Sequence, residues 1–267
     1  MSSDTAGHGP ESLAKNAPRA TSTSADTPAG ENPPTVAAWR RLATLGLFAL
    51  PVVFVLSQVV NEVVIPPLIV FSVLAVGLGA ALVAGKGRRV LYAAVALGVI
   101  SVLASAPFLV ADLSHPETGA GFLVAYAALV LGLGTAGAAL AATRANPPDR
   151  ARVTGLALGG VLVLGAVGSL VATASVEDDQ RQDGDIVVVA RDTAFPATLE
   201  APAGTVGFFV QNEDLYRHTL LIEGTDVKVE LPGSTDRRFE ADLDAGEYRY
   251  FCDVPGHESM EATLVVR

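Results

Sequence analysis

Cys252, His257 and Met260 fall within nine positions near the C-terminal end, in the stretch Tyr250-Phe251-Cys252-Asp253-Val254-Pro255-Gly256-His257-Glu258-Ser259-Met260. Cys252 is the single cysteine of the chain, His257 one of four histidines and Met260 one of two methionines. A thiolate, an imidazole and a thioether are the donors that suit copper in its blue, electron-carrying form. There, two histidines and one cysteine lie in a plane with a long, weak methionine above it. The second imidazole must come from a strand upstream, and His218 is the candidate near enough.

The spacing has a physical reason. Cys252 ends an aromatic run, Tyr248 to Phe251, that reads as a buried strand. Pro255-Gly256 then forces a tight turn and brings His257 and Met260 back to the same point. A loop this short fixes its donors, so a metal held there changes oxidation state with little ligand movement. Singly, each residue has a plainer reading: a lone cysteine is often an inert buried hydrophobe, and a methionine fills cores. Together, they point to a copper site.

Cys252-x4-His257-x2-Met260, entered by Tyr-Phe and closed by Thr263-Leu264-Val265-Val266, resembles the last loop and strand of the cupredoxins, the blue-copper family of plastocyanin, azurin and halocyanin. The resemblance covers roughly the last third of the chain. It implies that His218 and His257 are the imidazole ligands of one type 1 copper, Cys252 the thiolate and Met260 the axial donor. Val210-Gln211-Asn212-Glu213-Asp214 resembles the family's asparagine-bearing loop before the first histidine, and Asp244 to Tyr248 the turn into the ligand strand. It also implies that electrons pass through His257, with its ring edge at the surface among Val254 and Pro255. Two departures stand out: Thr219 replaces the asparagine that often follows the first ligand, and Glu261-Ala262 stand where a glycine commonly follows the methionine.

Half of the 267 residues are hydrophobic, which is too apolar for an ordinary soluble domain. Charge is unevenly shared. Residues 177–267 hold 20 acidic and 8 basic side chains, net −12, against 8 acidic and 10 basic before them. One cysteine permits no internal disulfide. Four histidines are too few for multicopper sites. A net −12 domain repels phosphate, so nucleic acid is not a partner.

The expected organisation has four parts. Residues 1–38, rich in Ser, Thr, Ala, Pro and Gly, read as a disordered cytoplasmic tail unlike a cleaved signal peptide. Residues 39–176 carry five apolar spans, about 41–60, 66–84, 90–111, 121–142 and 153–176, each near the roughly 20 residues that cross a bilayer. Pro51 and Pro107 are expected to kink their helices. Residues 177–184 form a charged linker, and 185–267 an all-β Greek-key sandwich of about seven strands. Arg40-Arg41, Lys86/Arg88/Arg89 and Arg144/Arg150/Arg152 fall in alternate breaks. Asn61-Glu62 and Asp112 to Glu117 fall in the others. The positive-inside rule then places the N-terminus in the cytoplasm and the β domain outside a multi-pass cell-membrane anchor.

The expected function is a membrane-anchored single-electron carrier, not an enzyme. Its partners would be membrane lipid and a redox protein, such as a basic cytochrome c steered by the acidic surface or a membrane respiratory complex. The alternative is a copper-handling protein that carries no current. A Met- or His-rich exposed tract would favour it, and the sequence holds none.

Overall fold

The computed structural model describes residues 34–61, 64–144 and 146–267. Most of the expected 1–38 tail, and Glu62 in the second break, lie outside them. Six α-helices are followed by eight β-strands: α1 Pro34–Val60, α2 Pro66–Val83, α3 Arg88–Ala104, α4 Ala106–Leu113, α5 Ala120–Ala142 and α6 Pro148–Ala174. Helix begins at Pro34, four residues ahead of the expected tail boundary.

Four of these helices, α1, α2, α5 and α6, are long and apolar enough to cross a membrane. The third expected span is not one helix. It breaks into α3 and α4, which meet at a bend of 62°. Pro107 lies in the first turn of α4, where it has no N–H to donate and its ring would collide with the Leu103 carbonyl of a continuous helix. Counting the bent pair as one span gives five. By contrast, α1 runs through Pro51 as a single element.

The basic breaks gather at one end of the bundle. Arg40 donates to the carbonyls of Leu82 and Lys86, at 2.9 and 3.0 Å, and Arg88 to that of Thr143. Gly134 packs against Leu158 of α6 inside the bundle. The outward faces are apolar, with Leu156 and Leu164 of α6 more than 70% exposed.

The strands are β1 Ile186–Ala190, β2 Thr198–Ala201, β3 Gly204–Asn212, β4 His218–Ile222, β5 Lys228–Leu231, β6 Asp236–Leu243, β7 Gly246–Phe251 and β8 Glu261–Val266. They form two sheets, ordered β1-β3-β6 and β2-β8-β7-β4-β5. Alternate residues point into the core between them: Val206, Phe208 and Val210 from β3, Leu220 and Ile222 from β4, Leu264 and Val266 from β8. β2 was not among the expected strands. It is four residues long, pairs in parallel only with β8, and sits between Pro196 and Pro202 without an apolar run. Such short, proline-flanked segments suit a sheet edge.

The segment expected as a linker lies along β6. Asp179 N–H donates to the Asp236 carbonyl, and the Asp178 and Asp179 carboxylates accept from the backbone N–H groups of Asp236 and Arg238. Next to it, Asp185 accepts from Arg238 Nε at 2.9 Å and from Gln182 N–H at 2.7 Å. A Cβ on Gly207 would stand 2.1 Å from the Asp185 carboxylate, so only glycine leaves that group its place.

The Arg238 hydrogen bond holds the Asp185 carboxyl below the usual carboxylate range, although burial acts against it. A depressed folded value stabilises above the unfolded value of about 3.9, and that contribution is lost as pH falls through the folded one. Asp185→Asn is therefore expected to lower the melting temperature at neutral pH. In melts across an acid series, the gap between variant and parent should narrow as pH falls below the unfolded value of about 3.9 and close only below the depressed folded one.

Candidate metal centre

β4 and β7 share one end of a ladder and then part. Their register holds only at Leu221↔Phe251 and Ile222↔Tyr250. Beyond it, His218 and Thr219 on β4 and Cys252 after β7 no longer pair, and their side chains turn into the gap. Thr219 N–H points at Cys252 Sγ, 3.4 Å away, in place of a strand carbonyl. The sheet opens there to admit a site.

The Pro-Gly turn closes the loop. Gly256 takes φ +93°, which a side chain would strain. His257 N–H donates to the Val254 carbonyl at 3.0 Å, Met260 N–H to the His257 carbonyl at 2.8 Å, and Cys252 N–H to the Met260 carbonyl at 3.0 Å. These three backbone bonds close the loop from Cys252 to Met260.

The structure brings three of the four sequence-derived candidates to a common point. His218 Nδ1 lies 3.1 Å from His257 Nδ1, and His257 Nδ1 3.8 Å from Cys252 Sγ. The three donor atoms all fall within 4.8 Å of one another, and all three residues are buried. Metal–nitrogen bonds of about 2.0 Å and metal–sulfur bonds of about 2.3 Å, spread in a plane, separate their donors by roughly 3.5 Å. Donor types and spacing fit one copper ion. Met260 is buried in the same loop at 1% exposure.

Other residues set the donors. His218 Nε2–H donates to the Asp214 carboxylate at 2.8 Å, which fixes the tautomer and leaves the Nδ1 lone pair facing the site. Asp214 also accepts from the N–H groups of Asp192 and Thr193. Burial pushes its carboxyl up, but these bonds outweigh it and the net shift is downward. Asn212 donates to the carbonyls of Tyr216, Leu231 and Pro232, at 2.9 to 3.0 Å, and so shapes the loop before His218. The Thr219 hydroxyl accepts from Asp253 N–H at 2.9 Å and lies 2.8 Å from the Asp253 carboxylate and 3.5 Å from Cys252 Sγ. Threonine thus braces the cysteine turn in the place where asparagine was expected.

Electrostatics favours neutral donors. Burial, followed by the neighbouring His218, pulls His257 down to about 4. Burial lowers His218 as well, with Asp214 only partly opposing it. Burial pushes the Cys252 thiol up, and the hydrogen bonds from Thr219 counter this in part. At neutral pH both imidazoles offer lone pairs, and only the thiol must lose a proton to bind a cation.

The cupredoxin-like domain family matches residues 161–266. The C-terminal domain is a cupredoxin-like domain. Solved structures similar to this chain include the Cu(I) form of a mutant amicyanin, at 21% identity over 35% of this chain and 88% of that one, with a TM-score of 0.27. Auracyanin B aligns at 20% identity over 35% and 95%, with a TM-score of 0.27. A copper-containing nitrite reductase from Thermus scotoductus SA-01 aligns at 22% identity over 35% and 24%, with a TM-score of 0.26. No curated protein matches the chain.

Two features of the cupredoxin domain differ from expectation. His257 is only 1% exposed, so its ring edge does not reach the surface. The helical bundle covers it: Phe108 of α4 lies against Gly256, and Pro255, Gly256 and His257 line a cavity with α1, α2, α4 and α5. Asp112, read from sequence as an outer-loop residue, belongs to α4 and accepts a hydrogen bond from Tyr216 OH. Asp214 was not singled out as an imidazole partner either. Its place four residues before His218 was the available signal. His115 pairs with Glu117 at 2.9 Å outside the site.

Asn212→Ala should take a donor from the Tyr216, Leu231 and Pro232 carbonyls, of which Pro232 keeps the Thr235 hydroxyl, and cost about 1–3 kcal/mol. Chemical denaturation of the full chain should show a lower midpoint with an unchanged slope.

Proposed function

We propose that the chain is a membrane-anchored type 1 copper protein that carries single electrons on the outer face of a membrane. His218 and His257 are the imidazole ligands, Cys252 the thiolate and Met260 the axial donor. The observation that carries this reading is the convergence of two buried Nδ1 atoms and one buried Sγ, with the far nitrogen of His218 anchored to Asp214. Bound copper would supply a one-electron couple.

The chain's own residues keep that couple fast. The backbone bonds from Cys252 to Met260 hold the donors in place, so little rearrangement accompanies a change of charge. Asp214 and Thr219 fix the His218 ring and the Cys252 sulfur from behind.

The anchor reading rests on the apolar faces of α1, α2, α5 and α6. α3 is 17 residues long, so it rises about 25 Å, and α4 then turns across the outer end beneath the cupredoxin domain. Arg40, Lys86, Arg88 and Arg144 fall at the opposite end, as the positive-inside rule asks of a cytoplasmic face. The net −12 of residues 177–267 would steer a basic redox protein toward the outer domain.

Purified full-length protein loaded with one equivalent of copper should show the intense visible absorption of a Cu–thiolate bond, bleached reversibly by a one-electron reductant. Cys252→Ala should abolish the colour, and His218→Ala should weaken copper retention by at least about tenfold. A colourless wild-type chain that keeps no copper would end this reading.

A further inference from the structure

The cavity between the His257 loop and the bundle has a volume of about 210 Å³. Phe54, Leu68, Phe71 and Phe108 are among its walls, with Ala125 and Ala128 of α5. Apolar side chains dominate the lining; α1, α2 and α5, each long enough to cross a membrane, supply most of them and the short α4 supplies Phe108 and Leu109. A void of about 150 Å³ between apolar side chains already accepts benzene. This one has room for a substituted ring.

One polar atom at the cupredoxin end has no partner. His257 Nε2 is buried and makes no hydrogen bond among the described residues. His257 Nδ1 faces His218 and Cys252, so Nε2 lies on the opposite edge of the ring, and His257 itself lines the cavity. Burying such a nitrogen unpaired is unfavourable, and the groups that go unpaired in a fold often await a ligand. When Nδ1 binds metal, Nε2 carries the hydrogen and can only donate. The missing partner is then an acceptor oxygen on a molecule that is otherwise apolar.

We propose that this cavity binds a lipid-soluble quinone, its ring among Phe54, Phe71 and Phe108 and one carbonyl oxygen accepting from His257 Nε2–H. The proposal rests on the copper reading for the tautomer of His257. A plain hydrocarbon tail would fill the same walls but offer no acceptor, and an anionic headgroup would meet a mostly apolar lining that holds the Asp112 carboxylate. A quinone carries a rigid ring, a carbonyl and a tail that reaches it through the bilayer.

The test uses the full chain with copper in nanodiscs and an azido-substituted decylbenzoquinone as photoaffinity probe. Labelling is expected on the peptides of α4, α5 and the Val254–His257 loop. Decylubiquinone should compete at least about tenfold better than decylbenzene, which has the ring and tail without the oxygens. Ala128→Leu, inside the cavity, and Ala104→Trp, at its exposed rim, should each cut labelling about tenfold while the blue absorption stays. The wild-type competition decides the matter even where a variant fails to fold. Labelling spread over the lipid-facing helices, or competed equally by decylbenzene, would overturn the proposal. Blue colour without labelling defeats the quinone site alone, and labelling of a chain that never turns blue defeats the copper reading alone.

Discussion

Two imidazole nitrogens 3.1 Å apart with a thiol beside them, all inside a β-sandwich, form an arrangement that apolar burial alone would not favour. Each donor is stripped of water, and the two Nδ1 atoms lie within hydrogen-bond distance of one another. The domain holds them there by stopping a ladder early. β4 and β7 pair for two residues and then diverge, so that Thr219 N–H meets a sulfur and Asn212 gathers the carbonyls of Tyr216, Leu231 and Pro232. A cation between the donors would take the lone pairs of both imidazoles and draw the proton from the thiol. The local backbone is therefore arranged around an ion's requirements more than around its own hydrogen bonds.

The same region joins the cupredoxin domain to the helices. Tyr216, two residues before His218, donates to Asp112 of α4 and packs its ring edge against His257 at 5.3 Å between centroids. A Cβ on Gly121 would stand 2.7 Å from the Tyr216 ring, so α5 approaches it closely only because that position is glycine. Asp112 is buried, and Tyr216 together with Arg217 at 3.8 Å supply the partners a buried carboxylate needs. One tyrosine thus touches a helix of the bundle, a second helix at its first turn and a copper-ligand candidate.

Much of this was legible in residue order. The aromatic run from Tyr248 to Phe251 marked β7, and the Cys-His-Met spacing with its Pro-Gly turn marked the loop. β2 was hidden because four residues between prolines carry no pattern beyond their neighbours. Pro107 was visible, but whether a proline kinks a helix or ends it depends on what packs beside it; Pro51 lies inside a continuous α1 and Pro107 does not. Asp112 looked like a loop residue because a carboxylate beside an apolar run usually faces water. Its partner Tyr216 lies 104 positions away, and no local signal joins the two. Asp214 and Thr219 were in view as letters, yet their work depends on ring orientation and on the parting of two strands.

The burial of His257 follows from the helix break. Because α3 ends at Ala104 and α4 leaves it at 62°, Phe108 is carried across the end of the bundle onto Gly256. A straight third helix would have pointed those side chains past the cupredoxin domain and left the ring edge to water. The cover replaces water by aromatic and aliphatic side chains on the side of the site that faces the helices. A low local dielectric of that kind favours the less charged state of whatever the donors hold, and tunes a potential without altering any ligand. The acidic exterior and the apolar cavity therefore present one site to two different environments. The cavity is the one that lies against the buried His257 ring.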